Sequence, residues 1–289
     1  MKKFINKITI IFTSVLLVTI SIINSFAVTY FKTNGFTFYL TDDSFAIVSD
    51  YDNSSLDVVL PESLFDSYLV KIDDYTFLNN TEITSVSFEK AKYLSYIGIY
   101  SFAGCTGLKS ISIPFSVNEL GYGVFQNCTS LEELKISNGI TKIPTQAFYK
   151  CSSLDNIVIP QSVTEIGNFA FADCSSLKSI VIPENTRSIA ANAFLNHADD
   201  LTIYCNKNST AHQYAIDNSI DFILIDGYNF GDVSLDGNTN IVDATLIQRY
   251  VVGVTQINKQ QLYIADINGD GIVNVVDSTT LQKILVGLA

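Results

Sequence analysis

Hydrophobic positions return on a fixed beat through the middle of this chain. Three consecutive blocks of 23 residues share one layout: TGLKSISIPFSVNELGYGVFQNC (106–128), TSLEELKISNGITKIPTQAFYKC (129–151) and SSLDNIVIPQSVTEIGNFAFADC (152–174). A fourth, SSLKSIVIPENTRSIAANAFLNH (175–197), keeps the period and ends in His197, while 81–105 and about 53–80 carry the same pattern with small insertions. The register is marked by Phe77, Phe102, Phe125, Phe148, Phe171 and Phe194, the last five each 23 residues apart. Each block predicts one coil. Its short strand (Ile111 to Ile113, Leu134 to Ile136, Ile157 to Ile159, Ile180 to Ile182) alternates side chains inward and outward. Pro114, Pro160 and Pro183 close three of these four strands, and Ser137 takes that place in the other. A second apolar pair and the Phe turn complete the circuit. A single coil cannot bury its apolar face, but stacked coils share one core, with parallel strands about 4.8 Å apart.

Both ends of the array read as caps, which shield an otherwise open sheet edge and core. Residues 35–61 alternate like a hairpin, and 201–225 read as a strand, a short helix and a final strand. Period, strand, proline, Phe turn and cysteine mostly recur together, and over roughly 53–197 this pattern resembles the BspA-like subclass of bacterial leucine-rich repeats. The resemblance implies a leucine-rich repeat solenoid, α/β in class, of short parallel strands plus turns. It would occupy 53–225 with its C-terminal cap, preceded by a cap hairpin at 28–52.

The cysteines admit more than one reading. Cys105, Cys128, Cys151 and Cys174 hold the same repeat position and so form a ladder, while Cys205 stands alone in the cap. Disulfides between coils or metal binding are conceivable in an exported protein. Against them, the position follows a core-facing turn where small thiols pack well, and no CxxC occurs. Free structural cysteines are the favoured reading.

Beyond the solenoid the pattern changes to two matched segments 34 residues apart: DVSLDGNTNIVDATLIQRYVVG (232–253) and DINGDGIVNVVDSTTLQKILVG (266–287). In the second, Asp266, Asn268, Asp270, Asn274 and Asp277 fall at positions 1, 3, 5, 9 and 12 of a twelve-residue loop, with Gly271 at position 6. That is EF-hand spacing: alternate oxygens wrap a hard cation and the glycine permits the sharp turn. Each loop leads into one helix, with Leu246, Ile247 and Tyr250, or Leu281, Ile284 and Leu285, as its apolar face. A linker of about a dozen residues joins the halves, and no entering helices are expected.

Two such half-hands, with Asp at position 12 and Asn at position 9, resemble a dockerin module over about 230–289, with its segment beginning at 226. The resemblance implies a small all-α plug, stapled by two structural Ca²⁺ ions, that binds a cohesin module of a scaffoldin. Carried over by position, the first site comprises Asp232, Ser234, Asp236, the Asn238 carbonyl, Asn240 and Asp243. The second comprises Asp266, Asn268, Asp270, the Ile272 carbonyl, Asn274 and Asp277. Ser234 and Leu235 stand where the sister loop has Asn268 and Gly269, so weaker calcium binding is expected in the first loop. The cohesin contacts would be Ile241, Val242, Gln248 and Arg249 in one half, and Val275, Val276, Gln282 and Lys283 in the other. The Ser-Thr pair of many dockerins is absent; an apolar pair beside a cation suits an aliphatic patch with an acidic rim. Because both halves carry the same set, two docking orientations related by a half-turn are expected.

Charge and composition narrow the functional class. Net charge is −12 and no basic cluster exists to neutralise phosphates, which argues against nucleic-acid binding. From residue 226 onward, seven aspartates face only Arg249, Lys259 and Lys283, an excess that reads as ligand supply. At the N-terminus three lysines precede a mostly apolar run from Ile8 to Ile23, with Ser25 and Ala27 at the small-residue positions of a peptidase site. Residues 1–27 therefore read as a cleaved signal peptide, with an uncleaved anchor as the alternative. The mature protein is then extracellular, attached to a cell-surface or free cellulosome-type complex, with no membrane contact after cleavage.

Candidate chemistry is sparse. His197 and His212 are the only histidines, no GxSxG, HExxH or phosphate loop occurs, and Glu119, Glu133, Asp155 and Glu165 are scattered over the coils. No catalytic residue and no organic cofactor are assigned. The expected role is a non-catalytic subunit whose solenoid presents a protein- or carbohydrate-binding or adhesion surface to an unidentified ligand. Ser87, Ser112, Lys135, Val158 and Val181 would line its exposed strand face, with Ser110, Glu133, Asn156 and Ser179 beside them. The alternative is a cryptic polysaccharide-active enzyme, or an enzyme inhibitor, carried into the complex by the dockerin. The short join IDGYNFGD (225–232) should hold the two modules close together.

Overall fold

A computed structural model describes residues 29–52, 55–64, 66–225, 231–267 and 273–287. The expected signal segment therefore lies outside the described residues. So do Asn268, Asp270 and Ile272 of the second loop, and most of the join between the modules. Among the described residues no helix is long and apolar enough to cross a membrane.

The period-23 pattern folds as a β-solenoid in which every coil adds one strand to each of two parallel ladders. The first runs through Asp57–Val59, Ser85–Ser87, Ser110–Ile113 and Glu133–Ile136, then through Asn156–Val158, Ser179–Val181, Thr202–Cys205 and Asp221–Leu224. The second joins Ser67–Ile72 to Tyr96–Ile97 and Glu119–Leu120, and Lys142–Ile143 to Glu165–Ile166 and Ser188–Ile189. Register follows the repeat, with Leu134 opposite Ile111 and Ile180 opposite Ile157. Inward positions are apolar and buried, as strand alternation requires.

The Phe turns form a third ladder. The amides of Phe77, Phe102, Phe125, Phe148 and Phe171 each donate to a carbonyl in the next coil, at 2.7–2.9 Å. The six rings stack in a single file with centroids 4.7, 5.3, 5.6, 5.3 and 5.4 Å apart. Tyr51 closes the file at one end and Tyr214 at the other. The first five turns are tight enough to need left-handed backbone on both sides of the Phe, and the last needs it only at Asn196. Gln146 and Lys150 flank Phe148 at φ 58° and 62°, and Phe169 and Asp173 flank Phe171 at 55° and 56°. Non-glycine residues persist there because three hydrogen-bonded ladders over-determine the turn.

All four ladder cysteines are free and buried. Their thiols donate to the carbonyls of Phe77, Phe102, Phe125 and Phe148 one coil away, at 3.1–3.2 Å. Burial pushes the Cys105 and Cys174 thiols up to about 12, and those of Cys128 and Cys151 well above the ordinary thiol value.

At the N-terminal end the expected hairpin is present as Phe36–Leu40 against Ala46–Tyr51. A further strand, Tyr30–Thr33, pairs with it through a two-residue turn in which Asn34 and Gly35 have φ 49° and 83°. An Asn-Gly dipeptide is the signal that makes such a turn legible in a sequence. At the other end, helix α1 (Thr210–Asp217) lies between the strands Thr202–Cys205 and Asp221–Leu224, as expected of the second cap.

The C-terminal module holds three helices: α2 (Ile241–Val251), α3 (Lys259–Ala265) and α4 (Val275–Leu285). Helix α3 corrects the expectation that no helix enters either loop. It runs straight into Asp266 and is started by a capping box between Asn258 and Gln261. The solenoid face also differs from expectation. Val181 and Ser179 are not solvated but buried, because α3 lies across the C-terminal strands with Tyr263 and Ile264 against Val181 and Ile225.

Candidate functional site

Each loop of the C-terminal module is organised by the aspartate that also starts its exit helix. In the first, the Asp243 carboxylate accepts from the amides of Ser234 and Asn240, both at 2.8 Å, while the Asn240 side chain accepts from Val242 N at 2.8 Å. In the second, Asp277 accepts from the Ile267 and Asn274 amides at 2.9 and 2.8 Å, and Asn274 from Val276 N at 2.7 Å. These are capping boxes in which an acidic residue sits in the first helical turn, where the helix dipole favours negative charge.

The loop itself curls around Asp232. Its two oxygens accept from the Asp236 amide at 3.0 Å and the Gly237 amide at 2.8 Å, with the Ser234 hydroxyl at 3.4 Å. Leu235 and Gly237 take the left-handed conformations that turn the chain, φ 61° and 86°. Asp236 accepts from the Asn238 amide, and the Asn240 side chain donates to the Asn238 carbonyl.

A hard cation suits this donor set. Asp232 and Asp243 are 1% and 0% exposed, and neither forms an ion pair with a Lys, Arg or His among the described residues. Two buried carboxylates satisfied only by neutral donors carry a desolvation penalty that a bound cation would offset. Among the described residues no three Asp, Glu, His or Cys side chains come together to hold an ion by themselves. Hydroxyl, amide and carbonyl oxygens from Ser234, Asn240 and Asn238 would have to complete the shell.

Helices α2 and α4 pack around Ile247 and Leu281, with Val233, Ala244 and Ala265. The Ser278 hydroxyl donates to the Ala244 carbonyl at 3.1 Å. Those two residues are equivalent in the 34-residue repeat, so the halves meet about a local two-fold. Leu246 and Leu285 join the core as expected, whereas Ile284 is exposed.

The proposed contact residues lie outside that core. Ile241 and Val242 are 58% and 56% exposed, and Val275 and Val276 are 60% and 49% exposed. Gln248, Arg249 and Lys283 are exposed on the same helices, and Gln282 is half-buried. Sequence reasoning missed a further pair. Val252 and Val286, again 34 apart, sit at the two helix ends and are 70% and 68% exposed. Their matched place in the repeat was the available signal. Each half thus presents an interrupted strip, apolar at the first helical turn and at the helix's C-terminal end, with Thr245, Gln248 and Arg249, or Thr279, Gln282 and Lys283, between them.

Elsewhere among the described residues, too, no His, Cys, Asp and Glu side chains come together in groups of three or more that could hold a metal ion. His197 Nδ1 lies 2.8 Å from the Ala198 carbonyl, and His212 accepts from the Asn208 amide with its ring edge-on to Phe222. A groove of about 890 Å³ crosses the strand face of the N-terminal coils and is lined in part by Phe88, Lys92, Ser112, Phe115 and Lys135.

Comparison with known proteins places both modules. Residues 70–199 match the BspA type Leucine rich repeat region in six copies, and residues 230–286 match the Dockerin type I domain. No curated protein matches the chain. A T. pallidum leucine-rich repeat protein is 24% identical with a TM-score of 0.49, over 60% of this chain and 84% of its own. A leucine rich cell surface protein from Faecalibacterium prausnitzii is also 24% identical, with a TM-score of 0.51. The similarity covers 62% of this chain and 55% of that one, so this chain spans about half its length. A leucine-rich repeat protein from Bacteroides capillosus is 21% identical with a TM-score of 0.32, over 62% of this chain and 99% of its own. Of these, the Faecalibacterium prausnitzii structure speaks to the solenoid fold, and to the fold alone.

Proposed function

We propose that this chain, which carries a BspA-type leucine-rich repeat region and a dockerin type I domain, is a secreted, non-catalytic subunit of a cellulosome-type assembly. Its dockerin binds a cohesin on a scaffoldin in a calcium-dependent way, and its solenoid displays a separate ligand surface. The observation that carries this reading is the pair of matched apolar strips, Ile241, Val242 and Val252 against Val275, Val276 and Val286, exposed to nearly equal extents. Exposed apolar residues repeated at matched places in both halves mark an interaction surface.

In this reading Asp232, Ser234, Asp236, Asn238, Asn240 and Asp243 hold one ion. Asp266, Asn268, Asp270, Ile272, Asn274 and Asp277 hold the other. Calcium, when bound, neutralises buried carboxylates and fixes the loop that precedes each exit helix. Asp243 and Asp277 tie loop to helix by accepting the loop amides, which aims Ile241-Val242 and Val275-Val276 outward. Arg249 and Lys283 flank the strips and steer toward an acidic rim on the cohesin. Equivalence of the two strips supports two docking orientations. The solenoid ligand, a protein or polysaccharide, would occupy the groove at Phe88, Ser112, Phe115 and Lys135.

Titration calorimetry of the full chain against a panel of cohesins, in calcium and in EGTA, tests the docking. Binding that persists undiminished in EGTA would exclude the calcium-dependent mode. Changing Ile241 and Val242 to Asp, or Val275 and Val276 to Asp, should each leave binding intact, and only the combination should abolish it. Loss of binding on changing Val275, Val276 and Lys283 alone would rule out two orientations.

A further inference from the structure

We propose that the first calcium loop and the solenoid are thermodynamically coupled, so that calcium in that loop and closure of the dockerin onto the strand face stabilise each other. The inference rests on the calcium reading of the loop given above. Its starting point is the outward row of the first strand ladder. Ser87, Ser112 and Lys135 occupy this row in the N-terminal coils, and Val158, Val181 and Tyr204 continue it in register. The row turns apolar at the coils where α3 is seated. There Val181, Ile225, Tyr263 and Ile264 form a buried cluster against which Val158, Tyr204 and Leu235 pack. Gln161 of the solenoid donates to the Tyr263 hydroxyl.

Leu235 is a member of the calcium loop itself. It stands where the sister loop has Gly269, and it holds a left-handed φ of 61°, which strains a branched side chain by about 1 kcal/mol relative to glycine. Contact with the solenoid cluster gives that departure a purpose. The loop is also joined directly to the seated helix. Gly231 N donates to the Ile264 carbonyl at 2.9 Å, and the Gln261 side chain donates to the Val233 carbonyl at 2.8 Å. Ordering of residues 231–243 therefore positions α3 and Leu235 together, and seating of α3 orders the loop. Linkage requires that each event favour the other by the same factor.

The interface engages α3 and the first loop, and neither apolar strip takes part: Ile241, Val242, Val275 and Val276 remain exposed. The solenoid is thus fixed against its own dockerin without competing for the cohesin, in either docking orientation.

Calcium titration of the full chain and its Val181→Gln variant tests the coupling. Glutamine is neutral, so it does not act on the ion by charge, and polar Ser112 at the same row position shows that a coil tolerates such a residue. The variant should weaken one of the two calcium sites by about tenfold and leave the other unchanged. Hydrogen exchange supplies a second measurement on the unaltered chain. Amides of 179–181 should lose protection in EGTA, while those of 110–113, remote from α3, should not. Two calcium sites unchanged in Val181→Gln, or equal protection of 179–181 with and without calcium, would overturn the coupling alone. A chain that binds no calcium would overturn it together with the site reading.

Discussion

Replacing Asp243 with alanine should cut the first loop of the dockerin loose from its exit helix. The carboxylate is fully buried and accepts two 2.8 Å hydrogen bonds, from Ser234 N at the third loop position and Asn240 N at the helix start. Hydrogen bonds to a charged partner contribute about 1.5–3 kcal/mol each, and removal strands two amides in a buried site. The expected loss is at least about 3 kcal/mol before any lost ion is counted. A module near sixty residues has about 3–5 kcal/mol to lose, so α2 should be open much of the time in EGTA. Amide exchange of 244–251 in the full chain reads this locally, because the solenoid need not unfold. Protection there should fall about 100-fold or more, at about 1.4 kcal/mol per decade. In calcium the deficit should grow, since under the proposed site the variant also lacks the oxygen at position 12. Equal protection of α2 in variant and parent, in both conditions, would refute the argument that this carboxylate ties loop to helix.

Two other outcomes follow from the solenoid. Phe148 lies between Phe125 and Phe171 with no solvent exposure, so Phe148→Ala should destabilise the array by about 3–5 kcal/mol in urea unfolding; a change under about 1 kcal/mol would mean the file of rings is not a shared core. For the thiols the sign is set by burial: an acid whose folded pKa is raised binds more protons folded than unfolded, so stability holds below the ordinary thiol value and falls as pH climbs above it. Between about pH 9 and 12 each of Cys105 and Cys174 should therefore withdraw about 1.4 kcal/mol per pH unit, seen as a falling melting temperature. A flat melting temperature across pH 9–11 would contradict it. The native chain at pH 8 should also resist thiol reagents until denaturant is added.

Local pattern carried most of the fold. A fixed beat of 23 with one Phe per block translates directly into one coil, because the spacing equals the contour of a circuit that returns to the same register. The two turns into the exit helices were equally legible, since an aspartate three residues after an asparagine writes a capping box within one short segment. Helix α3 was missed although Asn258 and Gln261 write a capping box, because seven residues are too few for a hydrophobic period to stand out. Val252 and Val286 were missed for a different reason. Apolar residues at helix ends read as core until packing shows that Ile247 and Leu281 already fill it.

The strand face shows where local reasoning stops. Sequence alone determined that Val158 and Val181 point outward beside Ser112 and Lys135, because strand alternation permits nothing else. It also determined that Leu235 departs from Gly269 in an otherwise matched loop. Only the tertiary structure decided that Leu235, at least 54 positions from either valine, joins them at one cluster around Tyr263. Outward from a strand means toward solvent only if nothing else in the chain arrives there. What arrives is set by the pose of a separate module, and that pose leaves no period in the sequence.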